Sequence, residues 1–269
     1  MADNHSSASV DLRVHGETVL PTLVYVPGLH GDWTLVASFR AALKNQVRFI
    51  ELMYPRTTAW SLADYAGAVL DALRDARVSA GWLLGESFGS QVVWQMLELA
   101  PARGFDVQGI ILTGGFVRYP VPWALPLAEG LNRRVPFWVL KLLCRCYAFY
   151  ARFRHARAPE TRANIGEFLR RRTLEADRQA ICHRYGLIAG YDARPAARQC
   201  RVPVFQLYGL FDPIVPWWPV RAWLKRHCSA CRGTRLIWRA DHTVLATAPR
   251  ASARAVLAWI TPGRGETRD

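Results

Sequence analysis

The sequence lacks any uninterrupted apolar run of about 18 residues, the length that a helix needs to cross a bilayer. It also lacks the basic start and apolar core of a secretory signal, because residues 1–10 are small and polar and contain Asp3 but no Lys or Arg. These two absences disfavour a membrane-spanning or secreted protein. We therefore expect a cytoplasmic location.

Paired metal-ligand motifs are also scarce. Of the six cysteines, Cys228 and Cys231 form a C-x-x-C pair next to His227, and no second pair stands at a zinc-site spacing. In a reducing compartment such cysteines are typically free thiols. The sequence therefore predicts free thiols and no metal site.

Acidic residues are few, at 21 Asp+Glu against 35 Lys+Arg, which gives a net charge of +14. The region from Arg118 to Cys200 holds 16 basic and 6 acidic residues, a net of +10, with the densest clusters at 133–134 and 170–172. One interpretation is a solvated basic surface. The other is a surface for an acidic carrier protein, an anionic substrate or an anionic membrane. No basic and aromatic module for reading bases is apparent, so we expect no nucleic-acid partner.

The chain has 269 residues, 51% of them hydrophobic, and alternates strand-like with helix-like segments. Short β-branched and aromatic runs predict strands, and apolar spacing of three and four predicts helices between them. The predicted strands are 22–26, 47–53, 81–84, 107–113, 203–208 and 234–238, with an edge hairpin at 10–20. The predicted helices are 33–45, the segment after an N-cap at Ser61 with Asp64, 91–100, 219–227 and 250–260. This order predicts an α/β fold with a mostly parallel sheet covered on both faces.

The alternation stops between residues 118 and 200, where the pattern is helical, aromatic and basic, with several prolines. The simplest interpretation is an inserted helical cap at 118–200 that divides an α/β core into 1–117 and 201–262. A polar tail follows at 263–269.

The segment 85–89, GESFG, is a G-x-S-x-G motif between a predicted strand and a predicted helix. A strand-to-helix turn this sharp holds the serine in a strained conformation and lifts its hydroxyl clear of the turn, while flanking glycines let strand and helix approach. In this context Ser87 is predicted to be a nucleophile.

A serine hydroxyl needs a base, and the base needs an acid. Of seven histidines, His30 and His242 lie on loops after predicted strands, where active sites of parallel sheets are found. His242 follows the last predicted strand and is our predicted base. Asp212 follows the strand before it and is our predicted acid, whereas Asp241 is adjacent to the histidine in sequence and is expected to point elsewhere.

Two backbone N–H groups are needed to hold an oxyanion. We predict the N–H of Phe88, the residue after the nucleophile, and that of Leu29, in the loop PGLHG at 27–31. His30 and Asp32 are then predicted to shape this loop.

Four motifs, PGLHG at 27–31, GESFG at 85–89, YGLFDPIVP at 208–216 and DHTVL at 241–245, resemble the lidded serine esterase-like branch of the α/β-hydrolase superfamily. The resemblance covers residues 20–262, and the insertion matches only as a cap. Members often have a histidine where this chain has Pro27. The resemblance implies the α/β-hydrolase fold, a Ser87–His242–Asp212 triad and hydrolysis of a carboxylic ester or thioester through an acyl-enzyme, without a metal or organic cofactor.

Two other functions stay open at this point. Some relatives use the same triad for carbon–carbon bond hydrolysis or elimination, and a basic cap that holds a carboxylated substrate would favour this. A non-catalytic binding protein on the same fold is the second alternative. An aspartate nucleophile, which haloalkane- and epoxide-hydrolysing relatives use, is not compatible with Ser87.

Overall fold

A computed structural model of the protein describes residues 9–136 and 175–261, with isolated residues between 138 and 169. Its strands are β1 (Asp11–His15), β2 (Thr22–Val26), β3 (Arg48–Met53), β4 (Ala80–Glu86), β5 (Asp106–Thr113), β6 (Val204–Gly209) and β7 (Cys231–Ile237). They form one sheet in the order β1-β3-β2-β4-β5-β6-β7. Strand β1 pairs antiparallel with β3, and all the other pairs are parallel.

The described helices of six residues or more are α1 (Ala37–Ala42), α2 (Leu62–Asp75), α3 (Phe88–Leu99), α4 (Ala124–Arg134), α5 (Glu175–Gly190), α6 (Arg194–Gln199), α7 (Trp217–His227) and, after the short α8 (Val244–Thr247), α9 (Pro249–Ile260). Ser61 caps α2 with a reciprocal bond to Asp64, as the sequence predicts. None of the described helices is long and apolar enough to cross a bilayer.

Alternate residues of the central strands face two separate hydrophobic cores. In β2, Val24 and Val26 pack in a core with α2 and α3, whereas Leu23 and Tyr25 pack in a second core with α1 and α9. This period of two is what a strand imposes on its side chains. The predicted parallel sheet with helices on both faces is confirmed.

The predicted edge hairpin at residues 10–20 is wrong. Only β1 forms there, and its partner is β3. The chain turns at Gly16, whose φ is +91°, and a bond from Leu20 N–H to the Glu17 carbonyl (3.2 Å) closes a second turn before β2. The helix predicted at 33–45 is also too long, because α1 ends before Lys44 and Asn45, which both have positive φ.

Within residues 118–200 the described elements are α4, α5 and α6, and no strand occurs among the described residues of that region. Helices α4 and α5 pack against each other, and α5 also contacts α3. The division into core and cap at 118 and 200 stays a prediction. The basic cluster at 170–172 and the predicted tail at 263–269 lie outside the described residues.

Candidate active site

Ser87 occupies the turn between the end of β4 and the start of α3. Its backbone has φ +51° and ψ −116°, a conformation that costs a non-glycine residue free energy. Its N–H donates to the Thr113 carbonyl at the end of β5 (3.0 Å), and its carbonyl accepts from Ser90 N–H (2.9 Å). The turn therefore holds Ser87 at the carboxyl edge of the sheet in a fixed orientation.

Gly89, two residues after Ser87, is required by close packing. A Cβ atom at Gly89 would lie 2.1 Å from the Val26 carbonyl oxygen and 2.7 Å from that of Pro27. Helix α3 thus begins directly against the end of β2. The motif keeps glycine here because any side chain would separate the two elements.

His242 and Asp212 follow adjacent strands, β7 and β6, and their side chains meet. His242 Nδ1 lies 2.8 Å from Asp212 Oδ2. The other carboxylate oxygen, Oδ1, accepts the N–H groups of Ile214 (2.8 Å) and Val215 (2.9 Å). The carboxylate is thus fixed by three hydrogen bonds, and it in turn fixes the imidazole ring.

Ser87 and His242 both lie at the end of β5. The Ser87 N–H is bonded to Thr113, and the His242 ring packs on the next residue, since a Cβ at Gly114 would lie 3.1 Å from ring atoms Cε1 and Nδ1. Among the described residues no hydrogen bond joins Ser87 Oγ to the His242 ring. Contacts of this kind are often long without substrate and shorten in the reacting complex.

The pKa of His242 is raised above its ordinary 6.5 by opposing influences. Burial is the largest and lowers the pKa, but the hydrogen bond to Asp212 and the charge of that carboxylate raise it by more, with smaller contributions from Glu86 and Asp241. The environment of the ring therefore favours the imidazolium form.

The loop at 27–31 lies beside Ser87. A Cβ at Gly28 would be 3.4 Å from the Ser87 Cβ, and a bond from Gly31 N–H to the Gly28 carbonyl (2.9 Å) closes the loop as a turn. In the described part of the chain, neither Leu29 N–H nor Phe88 N–H donates to a protein acceptor. The Phe88 N–H also lies at the N-terminus of α3, where partial positive charge collects.

Beneath this loop is a buried carboxylate that the sequence analysis did not assign. The Tyr25 hydroxyl donates to Glu86, and His30 Nε2 lies 3.3 Å from the same hydroxyl and 3.9 Å from Glu86 Oε2. Asp32 accepts bonds from the backbone and hydroxyl of Thr34. His30, itself in the loop, thus contacts Tyr25 and Glu86, whereas Asp32 bonds Thr34 just after the loop. Arg184 of α5, which the sequence analysis also missed, donates to the Leu29 carbonyl of the loop.

The described cysteines, Cys146, Cys182, Cys200, Cys228 and Cys231, are free thiols. Cys144 lies outside the described residues. Among those residues, no group of three or more His, Cys, Asp or Glu side chains is arranged to hold a metal ion.

Comparison with family models and with curated protein sequences gives no match. Solved structures do match over nearly the whole chain. A thermophilic esterase from Thermogutta terrifontis has a TM-score of 0.72 at 19% identity, covering 93% of this chain and 92% of its own. An enol-lactonase from Burkholderia xenovorans LB400 has a TM-score of 0.73 at 19% identity, and the match covers 94% of this chain and 96% of the lactonase. MGS-M2, an α/β-hydrolase enzyme from a Medee basin deep-sea metagenome, has a TM-score of 0.71 at 11% identity, and the match covers 93% of each chain.

These likenesses establish the fold. Together with the strand order and the turn at Ser87, they show that the chain has the α/β-hydrolase fold, as the sequence resemblance predicts. At these identities the likeness extends to fold alone, so the activity rests on the residues of the site.

Proposed function

We propose that the protein is a serine hydrolase that cleaves a carboxylic ester or thioester through an acyl-enzyme. The observation that carries the proposal is the 2.8 Å contact between His242 Nδ1 and Asp212 Oδ2, at the same sheet edge as the strained Ser87. A buried carboxylate that is hydrogen-bonded to a histidine, near a serine in a strand-to-helix turn, is the arrangement that activates a hydroxyl for attack.

In the first half of the reaction, Ser87 Oγ attacks the substrate carbonyl carbon while its proton passes to His242 Nε2. The carbonyl oxygen becomes an oxyanion, which accepts hydrogen bonds from the N–H groups of Leu29 and Phe88. As the tetrahedral intermediate collapses, the bond to the alcohol or thiol breaks. His242 returns the proton to that leaving group, and Ser87 is left acylated.

In the second half, His242 takes a proton from water, and the resulting hydroxide equivalent attacks the acyl carbonyl. Collapse of the second intermediate releases the carboxylic acid and returns the proton to Ser87 Oγ. Asp212 stays ionised throughout and stabilises each imidazolium that forms. Apart from the attacking water, each proton transfer and each charge-stabilising contact in this scheme is assigned to a side chain or backbone N–H of this chain.

The activities of structural neighbours support this class of reaction. One neighbour is an esterase and another an enol-lactonase. Both names denote transfer of an acyl group to water. For this chain they favour ester or thioester hydrolysis over carbon–carbon bond cleavage on the same triad.

A fluorophosphonate probe tests the proposal, because it reacts covalently with an activated serine. The wild-type protein should be labelled at Ser87 and should hydrolyse members of an ester and thioester panel. Ser87→Ala should abolish both, whereas Ser79→Ala, at an exposed serine before β4, should change neither. A wild-type protein that is neither labelled nor active would favour a binding function instead.

A further inference from the structure

Arg184 is a buried cation in the middle of α5, with 3% of its surface exposed. Among the described residues no carboxylate lies in ion-pair distance of its guanidinium. Because a buried charge must find partners, its contacts define its role.

The guanidinium donates to three oxygen atoms of the core. Nη1 bonds the Leu29 carbonyl at 2.7 Å, Nη2 the Pro55 carbonyl at 3.3 Å and Nε the Tyr65 hydroxyl at 3.3 Å. It also lies over the rings of Tyr54 and Tyr65, 5.3 and 5.6 Å from their centroids. Two carbonyl dipoles and two aromatic faces thus stabilise the charge.

The shortest of these bonds falls on the loop that carries a proposed oxyanion donor. Residues 28–31 form a turn closed by Gly31 N–H and the Gly28 carbonyl, and the Leu29 carbonyl belongs to the middle peptide of that turn. The middle peptide is the one that rotates when a turn changes type. A hydrogen bond to the carbonyl of this peptide therefore fixes the plane of the peptide group between Leu29 and His30, and it limits the rotation of the loop.

Packing reinforces the contact. A Cβ at Gly31 would lie 2.5 Å from Nη1 of Arg184, so the guanidinium rests directly on the loop backbone. Helix α5 makes two further contacts with the segment between β3 and α2. Arg56 Nε lies 2.6 Å from Asp177 Oδ1, and His183 Nε2 donates to the Trp60 carbonyl at 2.7 Å.

We propose that Arg184 is a positioning residue that fixes the oxyanion loop through the Leu29 carbonyl, and that it makes the geometry of the oxyanion hole depend on the docking of α5. This rests on the proposed function, since it assigns Leu29 N–H to the oxyanion. The guanidinium acts through the loop and does not contact the substrate. Loss of Arg184 should therefore weaken the hold on the transition state while leaving ground-state binding of the substrate intact.

The test compares Arg184→Gln and Arg184→Lys with Arg178→Gln. Arg178 is a matched control on the same helix, because it also bonds backbone carbonyls, but those of residues 132, 133 and 135. For a neutral aryl ester we expect kcat of Arg184→Gln to fall about 10-fold or more with KM little changed, since removal of a whole oxyanion donor costs about 10²–10³ in kcat. Arg184→Lys, with one donor able to reach Leu29, should be intermediate. Arg178→Gln should keep the wild-type kcat.

Hydrogen exchange at the Gly31 amide gives a second readout that needs no turnover. Exchange should accelerate in Arg184→Gln and not in Arg178→Gln. An unchanged kcat and unchanged Gly31 exchange in a folded Arg184 variant would overturn the proposal, even if the melting temperature drops. If Arg184→Gln does not fold, the lysine variant decides, and wild-type values for it would overturn the proposal equally. Faster exchange in a protein that no fluorophosphonate labels would refute the hydrolase function and leave the loop contact standing.

Discussion

Asp212 Oδ2 lies 2.8 Å from His242 Nδ1, and the Asp212 side chain is fully buried. Its second oxygen accepts hydrogen bonds from two backbone N–H groups. The carboxylate therefore cannot rotate away from the His242 ring without breaking them. Ionised Asp212 is an acceptor only, and Nδ1 must therefore carry the proton in this contact. Nε2 of the neutral ring is then the basic nitrogen, as a proton acceptor for Ser87 requires.

Replacement of Asp212 by Asn should reduce kcat by about 10³–10⁴ with a small effect on KM, because an amide can present its NH₂ group to Nδ1 and stabilise the wrong tautomer. The measurement is steady-state kinetics on a neutral ester. Asp241→Asn is the matched control, since Asp241 bonds Thr243 and Thr247 instead of the ring. Equal losses in both variants would show that Asp212 has no special role.

The raised pKa of His242 sets the expected pH dependence. If His242 is the base, as proposed, it is active only when neutral, so kcat/KM should rise with pH through the pKa of the free enzyme. Because that pKa is raised, the midpoint should lie above 6.5. In Asp212→Asn the burial of the ring remains while the charge is gone, so the midpoint should move to lower pH. A midpoint that is the same in both proteins would contradict the assignment of this group.

Ser87 carries backbone strain that glycine would relieve. Positive φ costs a non-glycine residue about 1–3 kcal/mol, whereas glycine adopts it at the expense of some unfolded-state entropy. Ser87→Gly should therefore raise the free energy of unfolding by about 1 kcal/mol and abolish turnover. Ser87→Ala keeps the strain and should abolish turnover without this gain. Chemical denaturation of both variants compares them directly.

The contact at Gly89 predicts the opposite effect on stability. An alanine Cβ there would lie 2.1 Å from a backbone oxygen, which cannot move without separating α3 from β2. Gly89→Ala should lower the free energy of unfolding by about 3 kcal/mol or more, in the range of overpacked sites. At Gly186 in α5 an added Cβ meets nothing within 4 Å, so Gly186→Ala should stabilise by about 0.5–1 kcal/mol. Similar destabilisation in both would contradict this packing.

The parts of the fold that the sequence predicts are those fixed by local chemistry. The bounds of β2 and the N-cap of α2 at Ser61 follow from side-chain types within a few residues. The meeting of Asp212 with His242 follows because loops after adjacent parallel strands share one edge.

The rest depends on contacts between segments distant in sequence. Strand β1 resembles half of a hairpin until its partner β3 is known, and the paired residues are 34 to 42 positions apart in sequence. Arg184 is one of many arginines in a basic region, and nothing near it in sequence indicates a bond to a residue 155 positions earlier. Glu86 occupies a variable position of its motif, and only the fold places Tyr25 against it.

The basic region predicts a dependence of substrate capture on salt. Of its two densest clusters, 133–134 lies in the last turn of α4 within the described residues, where Arg133 pairs with Glu129 at 2.8 Å. If the region attracts anionic substrates, kcat/KM for a carboxylated ester should fall as salt is added, while kcat stays constant, because exposed charges assist encounter and are screened beyond about 8 Å at physiological ionic strength. For a neutral ester, kcat/KM should not change with salt.

Charge-removing variants locate this effect. Replacement of Arg133 and Arg134 by Gln should flatten the salt slope for the carboxylated ester. Replacement of Lys225 and Arg226 by Gln removes the same charge from the last turn of α7. It should reduce the salt dependence of kcat/KM for the carboxylated ester less than the variant at Arg133 and Arg134 does. Equal slopes for the two substrates in every protein would show that the basic region is only a solvated surface. If both double variants reduce the salt dependence of kcat/KM equally, the net charge of the protein, and not this surface, attracts the substrate.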